Sequence, residues 1–178
     1  MRRAVFLDRD GVINEAVIRN RKPYPPKTLA ELEVTRETET ALHKLFVRGY
    51  ILIGITNQPD VARGTQKKEV VEAINSYLLE KLPIKEISVC YHDDGDNCNC
   101  RKPYPGLILE AAQKWKIDVQ KSFVIGDRWK DIEAGKRAGC KTIWIDRRYD
   151  EDTRGTVADC YFETVDQAVA WILSSEEK

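Results

Sequence analysis

Short runs of apolar residues recur along the chain, and longer stretches with a helical spacing of apolar positions separate them. Within each run the apolar residues are continuous rather than alternating, which is typical of strands covered on both faces of a sheet. Each run also has about the length of a strand. The predicted strands span residues 4–7, 51–55, 87–90, 123–125 and 142–145.

Between these runs, apolar residues recur every three or four positions, which predicts amphipathic helices. Thr35 can cap the first helix, Gly49 can close it, and Pro83 stops the second. Thr164 and Gln167 have the spacing of a capping box at the start of the last helix. The predicted apolar positions are 41, 42, 45 and 46 in the first helix, 70, 71, 74, 77, 78 and 82 in the second, 107, 108, 111, 112 and 115 in the third, and 165, 168, 169 and 172 in the last. A short fourth helix is predicted over residues 131–138.

This alternation of strands and helices predicts an α/β fold with a doubly wound parallel sheet and right-handed crossovers. A chain of 178 residues is expected to form a single domain over 1–178. No linker divides the chain, and it has no room for a separate cap domain. Two stretches, 15–34 and 93–106, are predicted to be irregular, and the tail over 174–178 is expected to be frayed.

The charge balance bears on possible partners. Lysine plus arginine total 29 and aspartate plus glutamate total 29, so the net charge is zero. Nucleic acids and anionic membranes usually select a basic excess, so neither is expected as a partner. No apolar run approaches the roughly 20 residues of a spanning helix, and the run near the start stops at Asp8, too early for a secretory signal. We therefore expect a cytoplasmic protein, and the charged helix surfaces favour a monomer.

Polar side chains follow the predicted strands at the point where each strand ends. In an open parallel sheet the carboxyl ends of the strands meet at one edge, and ligands bind there. Because four strands carry such groups, we expect a functional site rather than an ordinary polar rim. The groups are Asp8 and Asp10 after the first strand, Thr56, Asn57 and Gln58 after the second, Tyr91, His92, Arg101 and Lys102 after the third, and Asp127 and Asp131 after the fourth.

The acidic members of this set suit phosphoryl transfer. Asp8 is a carboxylate nucleophile, and the like charge of Asp10 raises the affinity of one of the two for a proton. One ionised and one protonated carboxyl form the pair needed to attack phosphorus and to protonate a leaving alcohol. Asp8 and Asp127, with Asp131 as a further candidate, are also suitable ligands for Mg²⁺.

The remaining members suit the binding of a phosphate group. Thr56 and Asn57 offer hydrogen-bond donors, and Lys102 supplies a positive charge for the transferring group. Gly11 allows the backbone to turn so that its amides face the phosphate. We therefore expect all four residues beside the acidic pair.

A cysteine-rich segment, CYHDDGDNCNC, lies directly before Arg101 and Lys102. Three thiolates and one imidazole suit a closed tetrahedral Zn²⁺ site, which is typical of a structural metal. We predict a zinc-binding loop over 90–102 that fixes the segment carrying Lys102. Its ligands are Cys90, His92, Cys98 and Cys100.

Four motifs, in order along the chain, resemble those of haloacid dehalogenase (HAD) type phosphatases. They are the D-x-D-G of VFLDRDGVIN, then ITNQ, RKP and IGDRWKDIEAG. The resemblance implies a Rossmann-like core, with Asp8 as the nucleophile that becomes an aspartyl-phosphate and Asp10 as general acid and then base. It also implies Mg²⁺ bound by Asp8, Asp127 and the backbone carbonyl of Asp10.

Within this family, a chain with a zinc-binding loop and without a cap domain resembles two groups, the heptose-bisphosphate phosphatases and the histidinol-phosphate phosphatases. The segments TNQPDVARG and CRKPYPGLILEAA are similar to the heptose branch, which implies substrate contacts from Arg63 and Arg101. The five residues between His92 and Cys98 instead resemble the histidinol branch, and Pro59-Asp60 departs from the small residues expected there. The favoured prediction is a phosphatase that removes the 7-phosphate of a heptose 1,7-bisphosphate, a small phosphorylated sugar.

Further candidates surround this site. Arg128 is a candidate substrate contact, and the basic loop over 19–27 either screens substrates or is an ordinary solvated face. Three alternatives stay open: a histidinol-phosphate phosphatase, a polynucleotide end phosphatase and a non-catalytic, zinc-stabilised binding module. The zero net charge disfavours the second, and the intact set of Asp8, Asp10, Lys102 and Asp127 disfavours the third.

Overall fold

The computed structural model describes residues 1–175. Helices separate the five predicted strands along the chain, as the apolar pattern predicts. The strands are β1 (Ala4–Asp8), β2 (Val17–Arg19), β3 (Lys22–Tyr24), β4 (Ile51–Asn57), β5 (Glu86–Cys90), β6 (Phe123–Gly126), β7 (Lys141–Ile145) and β8 (Cys160–Phe162), and the helices are α1 (Arg36–Val47), α2 (Pro59–Ala62), α3 (Lys68–Lys81), α4 (Gly106–Trp115), α5 (Trp129–Ala138) and α6 (Val165–Ser174).

The main sheet has six strands in the order β5-β4-β1-β6-β7-β8, and every pairing in it is parallel. The α/β doubly wound fold is therefore confirmed, and the five predicted strands form its first five positions. β8 was not predicted, because three half-exposed residues at a sheet edge give no clear apolar run.

Helices cover both faces of this sheet. Val5 and Leu7 pack with residues of α1, α3 and α6 on one face. Ala4 and Phe6 point the other way and pack with α4 and α5. Alternate residues of β1 thus serve two cores, which explains why the strand is apolar at every position before Asp8.

The helix ends follow the local signals in the sequence. The Thr35 hydroxyl accepts from the Thr38 amide at 3.1 Å, and Gly49 has a left-handed φ of 83° after α1. Thr164 and Gln167 form the predicted capping box of α6. Two predicted apolar positions are wrong: Phe46 and Tyr77 are exposed, at the edges of their helical faces.

The stretch over 15–34 is not wholly irregular. Its strands β2 and β3 form an antiparallel hairpin in which Arg19 pairs with Lys22. Asn20 and Arg21 make the turn with φ values of 51° and 58°. The prediction missed this hairpin because Asn-Arg lacks the glycine that marks most turns of this kind.

The tail also differs in part from its expectation. Ser174 is the last residue of α6 and Ser175 caps the helix, while residues 176–178 of the predicted frayed tail lie outside the described residues. Across residues 1–175, none of the helices combines the length and apolarity needed to cross a membrane.

Candidate active site

Three carboxylates meet at the carboxyl edge of the sheet. Asp8 ends β1, Asp127 follows the neighbouring β6, and Asp131 lies in the first turn of α5. One oxygen from each lies within 4.8 Å of the others. All three residues are buried, because Asp8 and Asp127 lie at the ends of two directly paired strands, beside the start of α5.

Lys102 is the cation that faces these carboxylates. Its Nζ lies 2.5 Å from Asp8 Oδ1, 2.7 Å from Asp131 Oδ1 and 2.9 Å from the Ile55 carbonyl. Burial by itself lowers the pKa of Lys102, but Asp131 and Asp8 outweigh it, so its pKa is raised and the ammonium form is favoured. The structure thus brings Lys102 to the centre of the site.

The charges of this cluster do not balance. Burial, followed by the charge of Asp8, raises the pKa of Asp127 well above its usual value. Burial also raises the pKa of Asp8 to about 7, although Lys102 opposes the shift. Asp127 Oδ1 is buried and has no hydrogen-bond partner in the described part of the chain. Three carboxylates face one ammonium, and one carboxylate oxygen has no partner. This excess of negative oxygen ligands suits the binding of a hard divalent cation.

Asp10 lies in the same cleft as Asp8 but outside the three-carboxylate cluster. Its Oδ2 accepts from Gln58 Nε2 at 2.8 Å and from Arg9 Nη2 at 3.0 Å. Its Oδ1 accepts from Asn14 Nδ2 at 3.1 Å. These donors fix the direction of the carboxylate, so it projects from the turn after β1 in one orientation.

Thr56 and Asn57 end β4 and line the cleft as expected. The Asn57 amide, however, binds the Lys102 backbone: its Nδ2 donates to the Lys102 carbonyl at 3.0 Å, and its Oδ1 accepts from the Lys102 amide at 3.1 Å. The Thr56 hydroxyl accepts from Gln58 at 2.9 Å. Asn57 therefore holds the segment that carries Lys102, a role that the sequence did not indicate.

The remaining arginine candidates lie at different places. Arg128 lines the cleft and pairs with Glu151 at 2.5 Å. Arg63 lines a larger cavity of about 430 Å³ beside the cleft. It donates two hydrogen bonds to Asp93, and these are the main cause that lowers the pKa of Asp93 to about 2. Arg101 does not line the cleft, because its guanidinium turns to Asp94 and to the His92 carbonyl.

The hairpin over 17–24 and the prolines after it form the outer wall. Pro23, Tyr24 and Pro25 line both the cleft and the larger cavity, and Lys22 lines the cavity. The basic loop over 19–27 is therefore next to the site, as its position after the acidic turn predicts.

The cysteine-rich segment forms a second cluster of candidate metal ligands. The ligand atoms of Cys90, His92, Cys98 and Cys100 all lie within 4.8 Å of one another. The Cys90 and Cys100 sulfurs are 3.1 Å apart, and His92 Nδ1 is 3.3 Å from Cys100 Sγ. Bonds of about 2.3 Å to a tetrahedral zinc would separate the sulfurs by roughly 3.8 Å, so the cluster fits such an ion with small adjustments.

Comparison with known proteins decides the family. A family model described as HAD-hydrolase-like matches residues 99–158. The D-glycero-β-D-manno-heptose-1,7-bisphosphate 7-phosphatase of Rhodopseudomonas palustris is 38% identical over 150 residues, which cover 78% of this chain and 80% of that protein. The chain belongs to the HAD-like hydrolases.

One further relative agrees with this membership, and one solved structure agrees with the fold. The D-glycero-α-D-manno-heptose-1,7-bisphosphate 7-phosphatase of Photorhabdus laumondii is 36% identical, with 80% of this chain and 81% of that protein covered. The D,D-heptose 1,7-bisphosphate phosphatase of B. bronchiseptica, solved with magnesium and phosphate, superposes with a TM-score of 0.82 at 23% identity, covering 97% of this chain and 99% of that one. The likeness to the B. bronchiseptica structure shows that the two chains share a fold.

Several contacts in this HAD-like hydrolase were not foreseen from the sequence. Arg9 and Gln58 lie inside two of the four motifs and hold Asp10, yet nothing in their spacing indicates that contact. Glu151 binds Arg128, and Tyr149 donates to Asp127 Oδ2 at 2.8 Å. Both come from the loop after β7, which has no periodic pattern to mark it.

Proposed function

We propose that this chain is a Mg²⁺-dependent phosphomonoesterase that works through an aspartyl-phosphate on Asp8. The observation that carries the proposal is the placement of Asp8 and Asp10 in one cleft, with Lys102 against the first of them. A nucleophile, an acid and a fixed positive charge within one cleft are the groups that phosphoryl transfer needs.

The reaction has two steps. A carboxylate oxygen of Asp8 attacks phosphorus, the bond from phosphorus to the ester oxygen breaks, and Asp10 gives that oxygen its proton. Water then attacks the phosphorus of the aspartyl-phosphate, Asp10 takes a proton from the water, and inorganic phosphate leaves as the bond to Asp8 breaks. Gln58 and Asn14 hold Asp10 in one orientation for both proton transfers.

Fixed charges stabilise the transferring group. Lys102, held by Asn57 and by its ion pairs, places an ammonium beside Asp8. Asp8, Asp127 and the backbone carbonyl of Asp10 are the proposed Mg²⁺ ligands, with Asp131 beside them. When bound, the ion supplies positive charge that offsets the carboxylates and the phosphate oxygens. Thr56 is the proposed donor to a phosphate oxygen.

The proposed substrate is a heptose 1,7-bisphosphate, from which the 7-phosphate is removed. Relatives that are 38% and 36% identical carry this name, one for the β and one for the α anomer. The larger cavity is lined by Lys22, Arg63 and Arg128 and also by Asp60, Asp150 and Glu151, so it offers both donors and acceptors beside the cleft for the polar remainder of such a substrate. Of the three arginine candidates, Arg101 is the weakest for a direct substrate contact, because its guanidinium is directed away from the cleft.

Phosphate release from a panel of esters tests this proposal. The panel contains both anomers of heptose 1,7-bisphosphate, histidinol phosphate, other sugar phosphates and a generic aryl phosphate, each with and without Mg²⁺. We expect the highest kcat/KM for a heptose bisphosphate, with release that requires Mg²⁺. A preference for histidinol phosphate would overturn the substrate, and no release from any ester would overturn the reaction class.

Three further assignments complete the proposal. The cluster of Cys90, His92, Cys98 and Cys100 holds a structural Zn²⁺ in a loop over 90–102 within one domain. The chain acts as a monomer, as its charged helix surfaces favour. It acts in the cytoplasm, a reducing compartment in which thiolates stay available to a metal. Metal analysis and light scattering of the purified protein test the first two.

A further inference from the structure

The loop after β7 reaches back to the carboxylate cluster through a single tyrosine. Tyr149 Oη donates to Asp127 Oδ2 at 2.8 Å. The other oxygen of Asp127 is buried without a hydrogen-bond partner among residues 1–175. One oxygen of this carboxylate is therefore occupied by the phenol, and the other is left for a ligand.

Contacts on both sides of Tyr149 fix it in this place. Arg147 donates to the Gly11 carbonyl at 2.9 Å and 3.1 Å. The Asp150 amide donates to the Arg21 carbonyl at 3.0 Å, and Glu151 accepts from Arg128. The loop is thus tied to the acidic turn, to the hairpin and to the start of α5, so the direction of the Tyr149 hydroxyl is set by three separate elements.

Gly11 makes room for the same contact. A Cβ at this position would collide with Asp127 Oδ2 and Cγ, and would lie 3.0 Å from Tyr149 Oη. Gly11 also has a φ of +107°, which side chains rarely adopt. The turn after β1 is therefore shaped around the pair of Tyr149 and Asp127.

We propose that Tyr149 is a positioning residue that orients Asp127 as a magnesium ligand. This inference rests on the proposed function, because it needs Asp127 to bind the metal. A neutral phenol suits this role because it fixes the carboxylate and, in contrast to Lys102, adds no positive charge to compete with the cation. Hydrogen-bond partners of metal-ligating carboxylates typically change metal affinity or activity by about 10–100-fold when removed.

The test compares metal affinities directly, without turnover. Mn²⁺ binding to the zinc-containing protein, stripped of other divalent ions, is followed by electron paramagnetic resonance for the wild type and for Tyr149→Phe, Tyr161→Phe and Asp127→Asn. Tyr161 lines the same cavity of about 290 Å³ as Tyr149, but its hydroxyl accepts from the Ala158 amide instead. We expect a Kd raised about 10-fold by Tyr149→Phe, raised further by Asp127→Asn and unchanged by Tyr161→Phe.

The outcomes distinguish failure of the role proposed for Tyr149 from failure of the proposed metal site. If Asp127→Asn binds Mn²⁺ as the wild type does, Asp127 is not a ligand, and the proposed metal site fails together with the inference. If Asp127→Asn is weakened while Tyr149→Phe matches the wild type, only the inference fails. Equal weakening by Tyr161→Phe would also overturn it, because the effect would then be general loosening of the cavity wall.

A kinetic measurement distinguishes positioning from a structural role. Loss of turnover in Tyr149→Phe should be restored by excess Mg²⁺, whereas a distorted fold would stay slow at any concentration. Should Tyr149→Phe fail to fold, Arg147→Gln takes its place, because it removes the paired bonds to Gly11 that hold the loop. An unchanged Kd in that variant would count against the proposal.

Discussion

At the residue scale, the two aspartates of the acidic turn have different partners. Asp8 faces Lys102 and two further carboxylates, while Asp10 faces neutral amides and Arg9. Two carboxylates that stand two positions apart in sequence thus acquire separate surroundings. This separation suits one for attack and the other for proton transfer.

Replacing the proposed nucleophile tests its role. Asp8→Asn should lower kcat on the preferred ester by about 10⁴-fold or more, because the amide oxygen cannot form the phosphoryl intermediate. Folding should survive, since removing a buried carboxylate whose pKa is raised relieves an unfavourable charge. Phosphate release and circular dichroism provide the measurements.

The matched control is Asp166→Asn, which changes an exposed carboxylate paired with Lys44. That variant should keep its turnover. A near-normal rate in Asp8→Asn would remove Asp8 from the mechanism.

Arg9 links the acidic turn to α3 as well as neutralising Asp10. Its side chain is fully buried and donates both to Asp10 and, at 2.9 Å, to Asn75 Oδ1 in α3. Arg9→Met should reduce the free energy of unfolding by about 1–3 kcal/mol, because it leaves the buried Asn75 amide oxygen unpaired and removes the cation paired with Asp10, which keeps its bonds from Gln58 and Asn14. Urea unfolding monitored by fluorescence measures the loss.

Arg63→Met provides the comparison for Arg9. The Arg63 side chain is 44% exposed in its pair with Asp93, and its loss should change the free energy of unfolding by no more than about 1 kcal/mol. Similar values for the two variants would show that burial of Arg9 has little energetic effect.

At the element scale, the loop over 90–102 connects the sulfur cluster to the cleft. Cys100 precedes Arg101 and Lys102 directly, and Arg101 is anchored to the same loop through Asp94. Asn57 of β4 holds the Lys102 backbone from the other side. The position of the Lys102 ammonium therefore depends on two elements that are distant in sequence.

Loss of one thiol should affect both ends of this loop. Cys98→Ala should abolish stoichiometric zinc, lower Tm by several degrees and reduce turnover, because the proposed zinc would no longer fix the loop that carries Lys102. Zinc content by mass spectrometry, thermal unfolding and phosphate release are measured together. Cys160→Ala, at a cysteine outside the cluster, should keep its zinc, and a zinc-replete, fully active Cys98→Ala would contradict the assignment.

At the scale of the whole molecule, the sheet collects like charges at one edge. β1 and β6 bring Asp8 and Asp127 together, and α5 adds Asp131. Lys102 pairs directly with Asp8 and Asp131, and Arg128 adds a positive charge near Asp127 and Asp131, so three carboxylates still exceed the cations in direct contact with them. The fold therefore holds a region of excess negative charge that binding of a cation relieves.

Magnesium should consequently stabilise the folded protein. At a concentration about 100 times its Kd, Mg²⁺ should add about 2.7 kcal/mol to the free energy of unfolding, which corresponds to a rise in Tm of about 5–10 °C for a chain of this size. Thermal scans of the zinc-containing protein with and without Mg²⁺ check this. Asp127→Asn should show a much smaller rise, and equal rises would place the ion elsewhere.

The sequence by itself determined the parts of this protein that depend on near neighbours. The five apolar runs became the parallel strands β1, β4, β5, β6 and β7, and Thr35 and Thr164 cap their helices as predicted. These features follow from periodicity and capping, which involve residues a few positions apart. The convergence of Asp8, Lys102 and Asp127 also followed, since parallel strands share one carboxyl edge.

Only the tertiary structure decided which way individual side chains point. Arg101 and Lys102 are adjacent in sequence, yet one binds Asp94 and the other enters the cleft. The hydrogen bonds of Asn57 to Lys102 and of Tyr149 to Asp127 join residues 45 and 22 positions apart. Such contacts depend on packing between distant elements, and local periodicity carries no information about that packing.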